Sequence, residues 1–199
     1  MSERAGTNMI WRLILAVGAT LALAAPPLRA GDTAPLTVQA ARASMAGAWR
    51  AELQYRDYQS GEWIGIPFTA TIAVAGDGVT LVRTSAYDDG PARGTVWITG
   101  VAMLAKDGTT EYAGTYRADR AADQTIWKLT LGAAAPGKPT DAEHWTLVAE
   151  TKATDDDRPA ILRETTTRDG DTVTTVKEVD FSDDAKAEWL VRNRTVLRR

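Results

Sequence analysis

From Trp49 onward, apolar and polar residues alternate with a period of two, which places side chains in turn on the two faces of an extended backbone. The first segment is the clearest. Trp49, Ala51, Leu53 and Tyr55 share one face, and Arg50, Glu52, Gln54 and Arg56 share the other. This is the signature of a half-buried strand. Further strands are predicted at 68–75, 79–86, 94–105, 111–118, 125–131, 144–154, 160–167, 172–181 and 188–197. Between them, Gly76-Asp77-Gly78, Asp107-Gly108 and Asp169-Gly170 supply residues that tolerate positive φ, as tight hairpins require.

Consecutive strands therefore pair antiparallel. The longer break at 133–143, with Pro136-Gly137 and Pro139, is read as a loop at a barrel mouth, because the strands on either side would make poor separate domains. Residues 182–186 are read as one helical turn before the last strand. An open meander leaves two unpaired edges, and closure removes them. The expected fold is all-β: a single antiparallel up-and-down barrel of about 8 to 10 strands. An open β-sandwich is the alternative, since both show the same alternation.

The N-terminus changes the expected compartment. Arg4 and Arg12 precede or open an apolar run at 13–25, followed by Pro26, Pro27 and a small-residue exit at Ala30, the layout of a secretory signal. The run is shorter than the roughly 20 residues that span a bilayer. The expected organisation is a signal peptide at 1–30, a linker at 31–43 and the barrel domain at 44–199. The mature protein is then periplasmic or secreted, without integral membrane insertion after cleavage. It contains no cysteine, so packing and hydrogen bonds alone must hold it.

The net charge of −3 becomes more negative once Arg4, Arg12 and Arg29 leave with Glu3, which argues against nucleic acid as a partner. Asp155-Asp156-Asp157 and Asp88-Asp89-Gly90-Pro91 lack the spaced oxygen ligands of a calcium loop and are read as solvated turns.

Gly47-Ala48-Trp49 at the start of the first strand, with Arg192-Asn193-Arg194 on the last, resembles the lipocalin-like, or calycin, barrels. More specifically, the chain resembles bacterial exported lipocalin-like proteins. The resemblance implies that Gly47 and Trp49 help to close one end of the barrel, with Arg192 or Arg194 packed across the indole.

Candidate chemistry is sparse. The sole histidine, His144, alternates with Trp145 and points outward if Trp145 points inward. With no cysteine, zinc, copper and iron–sulfur sites lack their usual ligands, and neither metal nor cofactor is expected; haem on His144 alone is the residual option. No serine sits in a nucleophile elbow, and no glycine loop suits a phosphate.

The polar residues that alternate with apolar ones on a single face are more informative. Arg83 accompanies Val79 and Leu81, Arg163 accompanies Ile161, and Lys177 accompanies Val173 and Val179. If that face lines the lumen, the cavity is partly cationic and suits an anionic ligand. The competing reading leaves Arg163 and Lys177 on a wet outer face beside Glu164 and Glu178. Trp49, Trp97, Tyr112, Tyr116, Trp127 and Trp145 could form aromatic walls or simple core. The candidate ligand-binding set is Arg83, Tyr116, Trp127, Trp145, Arg163 and Lys177.

The expected function is an exported binding protein that holds a small amphipathic or anionic molecule in its lumen. One alternative is a non-catalytic envelope interaction protein with a packed barrel, and another is a barrel hydrolase or isomerase. No catalytic residue is assigned.

Overall fold

The computed structural model describes residues 34–56, 60–183 and 186–199. Residues 1–33, where the signal peptide is expected, lie outside the described residues, as do Asp184 and Ala185 of the expected helical turn. A short helix, α1 (Val38–Ala43), precedes ten strands: β1 (Gly47–Arg56), β2 (Trp63–Val74), β3 (Thr80–Asp88), β4 (Thr95–Leu104), β5 (Thr110–Tyr116), β6 (Asp123–Gly132), β7 (His144–Asp155), β8 (Arg158–Asp169), β9 (Thr172–Phe181) and β10 (Leu190–Arg198).

Each strand pairs antiparallel with its sequence neighbour, and β1 pairs with β10, so the sheet closes into a barrel. The closing register runs from Arg50↔Arg198 to Tyr55↔Asn193. Closure leaves no strand edge to template aggregation. The open sandwich is thereby excluded.

Local chemistry sets the hairpins. Asp77 and Asp107 occupy equivalent turns, in Asp77-Gly78-Val79-Thr80 and Asp107-Gly108-Thr109-Thr110. Each aspartate accepts hydrogen bonds from the backbone N–H groups two and three residues on and from the threonine hydroxyl. Gly78 and Gly108 take the positive φ values of 72° and 70° that the turn demands. Asp156 and Asp157 also adopt positive φ and form the tight β7–β8 turn. Asp155 and Asp156 receive Arg192, so this acidic run is a turn tied down by an ion pair.

Residues 38–43, read from sequence as linker, belong to the core instead. Thr37 caps α1 by accepting from Ala40 N at 3.1 Å. Ala41 is fully buried against Leu104, Trp127, Leu129, Trp145 and Leu147. The helix seals the barrel end formed by the start of β1 and the end of β10. Because six residues are too few to persist alone, tertiary contacts must hold it. They cluster at its C-terminus. Trp49 Nε1 donates to Met45 O at 2.8 Å and Trp145 Nε1 to Ser44 Oγ at 3.2 Å. Arg168, only 3% exposed, donates to Ser44 O, and Arg199 donates to Ala46 O. Trp49, Arg168 and Arg199 thus satisfy backbone carbonyls just past the helix C-terminus, where cations are favoured.

The expected stacking of Arg192 or Arg194 on Trp49 is not what forms. Arg199 takes that place, with its guanidinium carbon 4.2 Å from the indole centroid. The register explains why. Arg50 pairs with Arg198, so Arg199, one step further along the register, falls beside Trp49, while Arg194 stands beside Gln54, far along β1. Gly47 makes room: its φ is +132°, and a Cβ there would lie 3.2 Å from Arg199 Nη2.

The loop at 133–143 lies at this same sealed end, where Gly170 N donates to Glu143 O and Lys138 pairs with Asp169.

Candidate functional site

The lumen is not filled. Side chains pack it beneath α1 and along the β1, β2 and β10 wall, where Trp49, Phe68, Ala70, Ile72, Val173 and Leu197 form one cluster. Beside them runs a cavity of about 640 Å³, within the range typical of small-molecule sites. It extends from Arg42 and Met45 at the sealed end to Asp123, Gln124 and Asp155 at the opposite mouth. Its character changes along this axis. Ile72, Leu81, Leu129 and Leu147 make the deep part apolar, and Gln124, Thr125, Thr115 and Thr154 make the mouth polar.

Charged side chains form a belt between these zones. Alternation on β3 turns Arg83 inward between Leu81 and the buried Ser85, to whose Oγ its Nε donates at 3.1 Å. The guanidinium also lies 5.5 Å from the Phe68 ring centroid. On β9, Lys177 falls in the inward rank with Thr175 and Val179, and on β8 Glu164 falls inward between Leu162 and Thr166. Glu164 and Lys177 are register partners across the hairpin. Burial pushes the Glu164 carboxyl above its ordinary range, while Lys177 and Arg83 pull it back.

A second pair lies nearer the floor. Arg42 reaches from α1 to Glu111 at 2.5 Å and also donates to the carbonyls of Val79 and Ala102 at 3.3 Å. Burial raises Glu111 and lowers Arg42, so loss of water outweighs their mutual attraction for both groups. The pair ties the sealing helix to the wall and lines the cavity.

Of the six candidate ligand-binding residues, Arg83, Trp127 and Lys177 line this cavity. Arg163 does not. The β8–β9 hairpin pairs Arg163 with Glu178 and Glu164 with Lys177, so Arg163 and Lys177 must face opposite sides of the sheet. Arg163 bonds Glu178 at 3.0 Å on the outer wall and stacks on Trp189 at 3.7 Å. Tyr116 also faces outward and is 47% exposed. Trp145 points inward but is wholly buried in the floor. Trp97 and Tyr112 are outer-wall residues as well, with Trp97 62% exposed.

His144 sits on the outer wall between Asp141 and Asp169, away from the lumen. It cannot reach a group held in the cavity. Arg192, Arg194 and Arg158 are likewise engaged outside: Arg192 with Asp155 and Asp156, Arg194 over Trp63 at 5.4 Å, and Arg158 with Asp183. Among the described residues, no group of three or more histidine or acidic side chains is arranged to hold a metal ion.

Sequence reasoning missed Glu164 as a lumenal group, although a signal was present. The turn after Asp169 aligns Asp169 with Thr172, and counting back aligns Glu164 with Lys177. Arg42, Glu111 and Arg168 carried no such signal, since they matter only once α1 is known to close the barrel.

These features define a closed, ten-stranded antiparallel barrel, sealed at one end, with a charged belt inside. No protein-family model and no curated protein matches the sequence. Among solved structures, the chain resembles the crystal structure of Rv2717c from M. tuberculosis, with a TM-score of 0.54 and 13% identity. The match covers 83% of this chain and 98% of that one. At this identity the likeness speaks for the barrel fold alone.

Proposed function

We propose that this protein is a calycin-like carrier that binds a small amphipathic anion, apolar end first, and that it works outside the cytoplasm. The cavity is the observation that carries the reading. Its depth is lined by Leu81, Leu129 and Leu147 beside the mutually paired Arg42 and Glu111, its middle holds Arg83 and Lys177, and its mouth is polar. An amphiphile would bury its hydrocarbon against Leu81, Leu129 and Leu147 and set its charge beside the two cations. Burying apolar surface contributes about 25 cal/mol per Å², and the charge-assisted contacts would fix orientation.

The calycin-like assignment draws support from Gly47-Ala48-Trp49 at the start of β1 and from the arginine that covers the Trp49 ring. Export draws support from the composition of residues 1–30.

Native mass spectrometry of the protein purified from its host tests the reading. A co-purifying amphiphile, lost when Arg83 and Lys177 are both changed to Met, is the expected result. An empty lumen that also fails to bind amphipathic anions in titration overturns it.

The outer wall favours a second reading, an envelope interaction protein. Trp97, Met103, Tyr112, Tyr116 and Ile126 are exposed on β4, β5 and β6, with Met103, Tyr112 and Ile126 in adjacent register. A stoichiometric protein partner lost on Tyr112→Ser would favour it.

A further inference from the structure

The belt holds two cations and one carboxylate, and none of the three forms an ion pair among the described residues. This is unusual for groups confined to a lumen, where charges are normally paired. Glu164 stands directly across from Lys177 on adjacent strands, a placement that sets Cβ atoms roughly 4.5 to 5.5 Å apart. Arg83 approaches from β3 on the other side of the cavity.

We infer that Glu164 is an internal competitor for Arg83 and Lys177, and that an anion entering the belt displaces its charge by making it take up a proton from solvent. The inference rests on the carrier reading above and adds a coupling to it. An anion seated between Arg83 and Lys177 must lie close to the Glu164 carboxylate. Two like charges at that separation repel strongly in a partly dry lumen. Protonation removes the repulsion and turns the carboxyl into a hydrogen-bond donor toward the anion. The only transfer is one proton from the buffer acid in solvent to the Glu164 carboxylate, which leaves the buffer's conjugate base behind.

The surrounding groups leave this role to Glu164. On β7 its register partner is Ala149, which cannot titrate. Glu111 on β5 is engaged by Arg42 from α1. At the mouth, Asp155 is bound by Arg192. Asp123 lies on β6 at the far end of the cavity. Burial also holds Glu164 above the usual carboxylate range, the same direction in which a nearby anion would push it.

The probe is anilinonaphthalene sulfonate, an amphipathic anion that stays ionised across the range studied, with the uncharged N-phenylnaphthylamine as control. Titration calorimetry in two buffers of different ionisation heat counts protons directly. Wild-type affinity for the sulfonate is expected to rise as pH falls from about 8 to about 5, by up to ~10-fold per pH unit, with up to about one proton taken up per dye. Glu164→Gln should bind more tightly than wild type at the upper pH and lose both the pH dependence and the proton uptake. The neutral dye should show no pH dependence in either protein.

If Lys177→Met weakens sulfonate binding but wild type and Glu164→Gln are equally insensitive to pH, the coupling is wrong and the carrier reading stands. If neither Lys177→Met nor Arg83→Met affects the dye, the carrier reading fails and the coupling falls with it.

Discussion

Arg199, just past β10, covers the indole of Trp49, the third residue of β1, and so locks the first and last strands of the barrel together. The same guanidinium holds the Ala46 carbonyl behind α1. Arg199→Ala should therefore destabilise the fold by about 1 kcal/mol, whereas Arg194→Ala should leave the floor intact. Thermal melting of the two variants compares them directly, and equal losses would contradict the assignment.

Gly47 should resist substitution for two reasons that act together. Its φ of +132° strains any side chain, and a new Cβ would crowd Arg199. Gly47→Ala is expected to cost roughly 1 to 3 kcal/mol. Gly137→Ala, also at positive φ but with no atom near its would-be Cβ, should bear the backbone strain without the crowding. A urea titration of both separates the two contributions.

Overpacking of the floor is the next test. Ala41 has no exposed surface and is enclosed by Trp127, Trp145 and Leu147. Ala41→Leu should lower stability by about 1 to 3 kcal/mol, and near-ultraviolet circular dichroism should show the displaced tryptophans.

Asp107 anchors its turn through three accepted hydrogen bonds, which hold its carboxyl down at about 2. A folded-state value below the unfolded one means a contribution present above the ordinary carboxylate range and lost as pH falls toward about 2. Asp107→Ala should melt earlier than wild type at neutral pH, and the gap should close in acid. Asp77→Ala, in the equivalent turn and shifted in the same direction, should behave alike.

Glu164 has the opposite sign. Its folded-state value is raised, so the ionised form costs stability at neutral pH, and that cost disappears as pH falls through the raised range. Glu164→Gln should melt above wild type at neutral pH, with the difference shrinking as the medium is acidified. A melting curve in which the variant is never the more stable protein would count against a strained buried carboxylate.

Much of the architecture was legible because strand alternation is a local code. Trp49, Ala51 and Leu53 announce an inward face whatever the rest of the chain does, and the aspartate–glycine turns mark where the chain reverses. Pairing across a hairpin is also local, yet it needs an exact count; without it, Arg163 and Lys177 read as members of one face, whereas the register forces them apart. What could not be read were contacts between distant parts of the chain. Arg42 with Glu111 and Arg168 with Ser44 depend on how a six-residue helix seats in a closed barrel, and Arg199 with Trp49 depends on the register that closes it. A period-two pattern carries no trace of them.

On the carrier reading proposed above, the sealed floor has a consequence for selection. A lumen closed at its floor would compel a guest that enters by the mouth to leave by the path it came, so that only its leading portion is inspected. Whatever trails beyond Asp123 and Asp155 stays in water, so molecules with the same inserted end and different remainders should be accepted alike.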